Sequence, residues 1–331
     1  MKRFEKVVTL ILCLVLALSL VAYAKDVVNA KEIKLGIIAA VGQPVEMACN
    51  LFAKDVEEKT QGRVKVMVYP ASTIGNELEL RDAVSIGSVQ MACIGSGNIV
   101  GAVPEANITL VYYIWRDRDN MQKAFDGEIG QEFFKKFDEK TGITVIATNW
   151  QQGARQTLSK KAFTKPSELE GVKIRVPAGA PIFEDLWRAM GALPVSLSFT
   201  EVYMALGQGV VDAVECPVDY IYQNKFYEKA KYLELTNHLI YPNLVMINSA
   251  FLKSLSEEDQ KIIKQAAINA GNHQNKLMLQ NEKNFIEKLK AEGVNVVKVD
   301  TNAFAEAVKP VYKKWEKVWG AGLYERIKNI K

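Results

Sequence analysis

Apolar residues along the chain switch repeatedly between a period of two and a period near 3.6, and that switching predicts the architecture. Positions 32–38 and 64–69 read as strands, and between them 44–59 places Val45, Ala48, Leu51, Phe52 and Val56 at helical spacing. This is a β-α-β unit. Asn76 stands where an N-cap would start a second helix through Leu78, Leu80, Val84 and Ile86, and an apolar strand at 91–94 follows. The Gly95-Ser96-Gly97 segment after it reads as a plain turn, because a lone Gly-x-Gly is weak evidence for an anion site. Strand and helix in alternation imply a largely parallel sheet flanked by helices, with ligands at the carboxyl ends of the strands.

The rhythm repeats further on with a different core. Strands are predicted at 143–147, 173–176 and 210–214, with a helix at 181–190 stopped by Gly191 and Pro194, and a short helix over 201–206 before Gly207 and Gly209. Leu244 to Ile247 reads as a strand returning to the first sheet. Ser256, followed by Glu257, Glu258 and Asp259, resembles a capping box, and the helix it opens continues through Ile262, Ile263, Ala266, Ala267 and Ala270 past Gly271. A helix that long ties two lobes together. After a strand at 295–299, positions 304–319 make an amphipathic closing helix in which Trp315 and Trp319 share a packing face. No internal repeat of solenoid length is visible.

Composition narrows the class. A chain of 331 residues with 49% hydrophobic and 24% charged residues predicts two globular domains with substantial cores. The formal charge of +4 is spread among acidic residues without a basic run, so no nucleic-acid partner is expected. Residues 1–24 read as a signal peptide: Lys2, Arg3 and Lys6 form a positive start, 7–21 are almost wholly apolar, and Ala22-Tyr23-Ala24 is a small-x-small cleavage site. The competing reading, an uncleaved anchor, has an apolar run of about 18 residues at the lower edge of what spans a bilayer. Cys13 lies inside that run rather than at the cleavage point, against a lipoprotein. Cys49, Cys93 and Cys216 are odd in number and widely spaced, and read as buried small hydrophobes, one disulfide plus a free thiol being the alternative. HExxH, CxxC, GxSxG and Walker-type loops do not occur, and His238 and His273 lie near no Ser or Cys motif. No catalytic residue, metal or cofactor is expected.

The candidate chemistry lies in two arginines. In Gly171-Val172-Lys173-Ile174-Arg175-Val176-Pro177, alternation sets Val172, Ile174 and Val176 on one face and Lys173 and Arg175 on the other, which by itself reads as a solvated face. Arg155 follows the 143–147 strand in a polar, glycine-containing loop. Two arginines at the ends of neighbouring elements make an anion site.

The segments Tyr69-Pro70-Ala71-Ser72-Thr73-Ile74-Gly75, Asp126-Gly127-Glu128-Ile129-Gly130, Gly153-Ala154-Arg155, Leu169-Glu170-Gly171-Val172-Lys173-Ile174-Arg175 and the run from Glu201 through Gly209-Val210-Val211-Asp212-Ala213-Val214-Glu215 stand in the order seen in DctP-like solute-binding proteins, which serve tripartite ATP-independent periplasmic (TRAP) transporters. The chain resembles that family over nearly its whole mature length. The resemblance implies an α/β, two-lobe periplasmic-binding-protein-like fold, each lobe a mostly parallel sheet flanked by helices, with the ligand in the interlobe cleft. It implies lobe I from 25–148 plus about 239–280 and lobe II from 149–238 plus about 281–331, joined by the long helix. It also implies an exported monomer that hands a small organic acid to membrane permease subunits. Matched to the family's motifs, Arg175 grips the ligand carboxylate, Arg155 borders the ligand, and Glu215 orients an arginine or accepts from ligand hydroxyls. Ala213 replaces the usual glycine, Gly207 stands where glutamine is common and Cys216-Pro217 replaces Asn-Pro, departures that bear on substrate identity. The Arg116-Asp117-Arg118-Asp119 run is similar to one in some sugar-acid receptors.

A planar guanidinium presents paired donors spaced to match a carboxylate, which an ammonium does not. Around it Gln43, Asn98, Trp150, Gln151 and Asp219 are candidate selectivity residues, in loops after predicted strands or beside the motifs, with Trp150 expected to wall the pocket. The other classes consistent with the chain are a sensor ectodomain of the same fold and a secreted hydrolase, the latter lacking a nucleophile and base.

Overall fold

The computed structural model describes residues 30–330; the leader lies outside them. Eleven strands among the described residues form two sheets. They are β1 (Lys31–Ile37), β2 (Val64–Tyr69), β3 (Met91–Gly95), β4 (Ile143–Gln151), β5 (Arg155–Ser159), β6 (Lys173–Pro177), β7 (Leu193–Leu197), β8 (Ala213–Pro217), β9 (Tyr232–Leu239), β10 (Pro242–Asn248) and β11 (Asn295–Val297). The first sheet runs β2-β1-β3-β10-β4 and the second β11-β9-β5-β8-β6-β7. β2, β1 and β3 are parallel, as are β8, β6 and β7, whereas β10 and β5 run antiparallel to both their neighbours. The chain therefore crosses between sheets at residues 152–154 and again at 240–241.

Each sheet is covered on both faces. The helix Pro44–Lys59 and the first part of the helix Glu257–Ala291 pack on one face of the first sheet, through Phe52, Val56, Ile263 and Ala266 among others. Farther along the same long helix, Phe285 and Leu289 enter the core under β5, β8 and β9. At about 1.5 Å per residue its 35 residues reach about 52 Å, enough to serve both sheets. The remaining core joins Ile94, Leu244 and Met246 of the first sheet to Ile174 and Val176 of the second, closed by Phe304 and Val308 of the helix Thr301–Trp319. Trp315 and Trp319 stack in that helix with ring centroids 6.4 Å apart.

Local sequence explains most of the boundaries. Asn76 accepts from the backbone of Leu78 and Glu79 while Glu79 returns a bond to the Asn76 N–H, a complete capping box for the helix Glu77–Ile86. Ser256 caps the long helix through Asp259 N–H at 3.1 Å. Three expectations shift. The strand expected at 143–147 continues to Gln151, so Arg155 opens a strand of its own rather than sitting in a loop. Gly209, left-handed at φ 75°, ends the helix Val202–Gln208, and the strand expected at 210–214 is displaced to Ala213–Pro217. The Gly95–Gly97 turn is the start of a 3-10 turn, Ser96–Ile99.

Gly271 marks where the long helix comes closest to β4. A Cβ added there would stand 2.7 Å from Asn149 Oδ1 and from Trp150 Cδ1. In an open helix Gly→Ala stabilises by about 0.5–1 kcal/mol. Gly271→Ala is expected to do the reverse, lowering stability by about 1–3 kcal/mol through overpacking and depressing the midpoint of thermal unfolding; a raised midpoint would contradict this packing.

Candidate functional site

The carboxyl ends of β1 and β3 in the first sheet and of β6 and β8 in the second converge on one cavity. Its lining includes Ile38 just past β1, Glu77 at the start of the helix after β2, Arg175 and Pro177 on β6, Arg155 opening β5, Cys216 and Pro217 ending β8, and Tyr241 before β10. The empty space between these side chains is about 310 Å³, a figure that includes open solvent at its mouth.

Arg155 and Glu215 lie diagonally on neighbouring antiparallel strands, where Thr157 faces Glu215 and Arg155 faces Pro217. Their side chains meet as a fork: Arg155 Nε and Nη2 donate to the two carboxylate oxygens of Glu215, Nη2 also reaches the Glu215 carbonyl at 2.8 Å, and Nη1 donates to Tyr241 Oη at 2.9 Å. Both residues are buried. His238 Nε2 lies 3.0 Å from Glu215 Oε2, and His238 Nδ1 lies 2.8 Å from Thr236 Oγ1. Burial pushes the Glu215 carboxyl toward neutrality, but the Arg155 charge and the bonds from His238 and Arg155 outweigh it and hold its pKa at about 2. Burial also draws down the His238 pKa, opposed by Glu215, so the imidazole is neutral at pH 7. An ionised Glu215 only accepts; Nε2 therefore carries the His238 proton and Nδ1 accepts from the Thr236 hydroxyl. Tyr112 and Trp187 hold the imidazole edge-on, at 4.6 and 5.4 Å between ring centroids.

Arg175 differs. The alternation expected for β6 holds, with Lys173 exposed, but the face Arg175 occupies is covered, and only 2% of the residue is exposed. Nε donates to the Leu197 carbonyl at 3.0 Å and the guanidinium lies 5.7 Å from the Phe199 ring centre. Among the described residues neither Nη1 nor Nη2 has a protein partner, and both belong to a cavity-lining side chain. Burial draws the pKa of this guanidinium below its ordinary value, with the Glu215 charge opposing that. Two donors in fork geometry, desolvated and unclaimed, have the spacing that matches a carboxylate.

The other candidates fall around this centre rather than in it. Trp150 does not wall the cavity. It packs under the first sheet, 1% exposed, with Nε1 donating to the Ala267 carbonyl at 2.9 Å. Gln151 turns its side chain to Gln122 at 3.3 Å, away from the lining residues. Asn98 donates to the Gly95 carbonyl at 2.9 Å, bracing the end of β3. Gln43 and Asp219 bond to each other at 3.3 Å, joining the first-sheet half to the second beside the cavity. Burial raises the Asp219 carboxyl to about 6 against that bond. Arg118 fastens the crossing segment by donating to the Gln152 carbonyl at 2.7 Å, and Asp117 caps its helix through Asn120 N–H. Glu77, Phe199, Tyr220, Tyr241 and Gln152 line the cavity without having been singled out in the sequence. For Glu77 a signal existed, since it directly follows the predicted cap Asn76 at a strand's carboxyl end. For Tyr241 and Phe199 none did.

Two α/β halves facing each other across their strand ends, with a desolvated arginine between them, define the class of extracytoplasmic solute receptors. Residues 35–318 match the bacterial extracellular solute-binding protein family 7, DctP, and the chain belongs to that family. It is 32% identical over 291 residues to the 2,3-diketo-L-gulonate-binding periplasmic protein of Escherichia coli K12, covering 87% of this chain and 88% of that one. It is 28% identical over 327 residues to the sialic acid-binding periplasmic protein of Vibrio cholerae, 99% of each chain. A TRAP periplasmic solute-binding protein from Pseudomonas putida F1 with bound D-glucuronate has a TM-score of 0.85 at 30% identity, over 91% of this chain and 97% of that one. One from Sulfurospirillum deleyianum with bound succinate scores 0.86 at 28% identity, over 92% and 100%. The protein is a solute receptor of the TRAP class with the two-lobe α/β fold, and its family is periplasmic.

The pairing of Glu215 has a pH signature. Its folded pKa of about 2 lies below the ordinary 4.5, so the stability it contributes is complete above about 4.5 and is lost as pH falls toward 2. Glu215→Gln leaves Arg155 buried without its counter-charge and is expected to cost about 3–5 kcal/mol at pH 7. In urea titrations the gap between wild type and variant should narrow as pH drops through that window. A gap independent of pH would mean that Glu215 is not ionised in the fold.

Proposed function

We propose that the protein binds a small organic acid in the cleft between its lobes by hinge closure, with the carboxylate on Arg175, and delivers it to the membrane subunits of a TRAP transporter. The observation that carries this reading is the buried Arg175 fork, whose two terminal nitrogens face the cavity without a protein partner. Arg155 is the supporting cation, bordering the ligand while its donors remain on Glu215 and Tyr241. The ligands in the similar structures solved with D-glucuronate and with succinate bound share one chemical feature, a carboxylate, which supports the acid and leaves the rest of the ligand to the remaining lining.

In this reading the lobes are 25–148 with about 239–280 and 149–238 with about 281–331, and the chain's crossings between the sheets, at 152–154 and 240–241, lie within a few residues of those bounds. The protein is exported with cleavage after Ala24, acts as a monomer and turns over no substrate. Asn98, Gln43 and Asp219 act by bracing the strand ends and joining the lobes beside the ligand.

Arg175→Lys separates charge from geometry. It keeps the cation and removes the planar fork, so affinity for the bound acid should fall by about 2 kcal/mol, the scale of a charge-assisted hydrogen bond, while unfolding of the ligand-free protein changes little. Calorimetric titration of both proteins with the best acid from a thermal-shift screen checks it. Equal affinities would remove Arg175 from the site.

A further inference from the structure

Beside the cavity, the halves built on the two sheets touch again near the segment that crosses between them, and the contact is made by a carboxylate. Asp219 lies in the helix Val218–Gln223, directly after β8 of the second sheet, and is half-buried. Gln43 stands at the end of the loop after β1 of the first sheet and is buried. Its amide nitrogen donates to Asp219 Oδ2 at 3.3 Å, while its Oε1 accepts from the Ala40 N–H and fixes the side chain in that direction. Next to this bond is Gly153 of the crossing segment, where an added Cβ would stand 3.9 Å from Glu282 Oε1 and 4.0 Å from Asp219 Oδ1. Two carboxylates therefore converge on one buried glycine at the crossing.

The two are not equally provided for. Glu282, on the long helix, accepts from the Ala154 N–H at 3.3 Å and has Arg118 Nη2 4.0 Å from its other oxygen. Among the described residues no cation pairs with Asp219. Burial raises its carboxyl to about 6, with the Glu282 charge adding to that and the bonds it accepts from backbone and from Gln43 opposing it. Of the other ionisable groups on the elements packed around it, Glu46 has both oxygens taken, by the Gly42 N–H and the Asn50 amide, and Tyr220 and Cys216 are kept neutral by burial.

Part of the burial of Asp219 is supplied from the first-sheet half. Pro44, which follows Gln43, closes a small enclosed space with Gly153, Asp219, Glu282 and Phe285. The helix that Pro44 opens packs on the first sheet, whereas Phe285, three residues after Glu282, belongs to the core under the second. Separating the halves takes Gln43 and Pro44 away from Asp219 and leaves Glu282 beside it, so water returns to the carboxylate and its pKa relaxes toward the ordinary 3.8. A carboxyl whose pKa is higher in the closed form takes up a proton on closing. The closed form therefore gains as pH falls through about 6, and the gain is complete below the pKa of the open form.

Resting on the reading of the protein as a hinge-closing acid receptor, we infer that Gln43 and Asp219 form a latch across the cleft that closes with uptake of a proton, so that the receptor holds its acid more tightly as its surroundings become acidic. The proton comes from solvent and goes to Asp219 Oδ1, the oxygen that Gln43 does not use. Neither side chain lines the ligand cavity, so the effect acts through closure.

The test uses the full mature protein and four acids that stay ionised above pH 5: D-glucuronate, D-erythronate, L-galactonate and D-galacturonate, each found bound in a similar structure. Calorimetric titration with the tightest of them is expected to give a Kd about five- to tenfold lower at pH 5 than at pH 7.5. At pH 6, buffers of different ionisation enthalpy should show about half a proton taken up per ligand bound. Asp219→Asn keeps an acceptor for Gln43 and removes the charge, so it should bind more tightly than wild type at pH 7.5 and lose both signatures. Gln43→Glu keeps the acceptor for Ala40 and sets a like charge against Asp219, so its binding should be weaker at pH 7.5 and its pH dependence steeper. Any titration of His238 is common to wild type and Asp219→Asn and cancels in their difference. A wild-type affinity that is independent of pH or falls toward pH 5, or a dependence retained in Asp219→Asn, overturns the latch while leaving the carboxylate reading intact. Binding of none of the four acids at either pH overturns both. Thermal unfolding reports whether each ligand-free variant is folded, and the wild-type measurements decide the matter without them.

Discussion

The site depends on one buried carboxylate. Glu215 lies on β8 with no exposure to solvent, in the place where an uncompensated charge would be most costly. Arg155 meets it from β5 with two parallel bonds, and neutral His238 adds a third. Removing charges from water is expensive and a buried pair recovers that cost only when every lone pair and proton is satisfied. Here the satisfaction is nearly complete: the remaining Arg155 donors go to the Glu215 carbonyl and the Tyr241 hydroxyl, and His238 is held by Thr236 on its other nitrogen. The consequence is a division of labour between two arginines that look equivalent in the sequence. One is locked into the scaffold, and the other is left with an open fork.

That division has meaning because of where the strands end. Parallel strands in both sheets point their carboxyl ends at the same space, and the antiparallel β10 and β5 bring Tyr241 and Arg155 to it from the other direction. Arg155 and Tyr241 meet across the two crossing segments, so the ion pair of the second sheet also touches the segment that leads into β10 of the first. The long helix and the helix Thr301–Trp319 serve both halves without entering the cavity. In the proposed reading, closing the halves over an acid would exclude water from Arg175 and strengthen its bonds to a carboxylate. Opening would rehydrate both.

Much of the fold was legible because strong local signals and tertiary packing agree. The helices 44–59 and 257–291 carried a proline or a cap at the start and a clear apolar face, and the return of Leu244 to Ile247 to the first sheet followed from an apolar run bounded by polar loops. β5 was illegible for a physical reason: Arg-Gln-Thr-Leu-Ser is buried along its whole length, yet its polar side chains are satisfied by cross-strand partners that no linear pattern displays. Trp150 misled because an aromatic beside glutamines suggests a pocket wall, whereas β4 continues through it and turns the indole into the core. For Arg175 the strand pattern identified the correct face, but only the three-dimensional cover supplied by Leu197 and Phe199 distinguishes a desolvated arginine from a solvated one. Glu77 was within reach of the sequence, as the residue after a visible cap, but its place on the same cavity wall as Arg175 is a product of the two sheets facing each other.

The central claim is that the two arginines are chemically different, one bound to Glu215 and one reserved for the ligand. The structure of the protein with its acid bound tests this most directly. The account predicts the ligand carboxylate on Nη1 and Nη2 of Arg175, with Arg155 still forked on Glu215 and His238 still bonded to the same carboxylate. A ligand carboxylate seated on Arg155, with Glu215 displaced from it and Arg175 facing solvent, would contradict it.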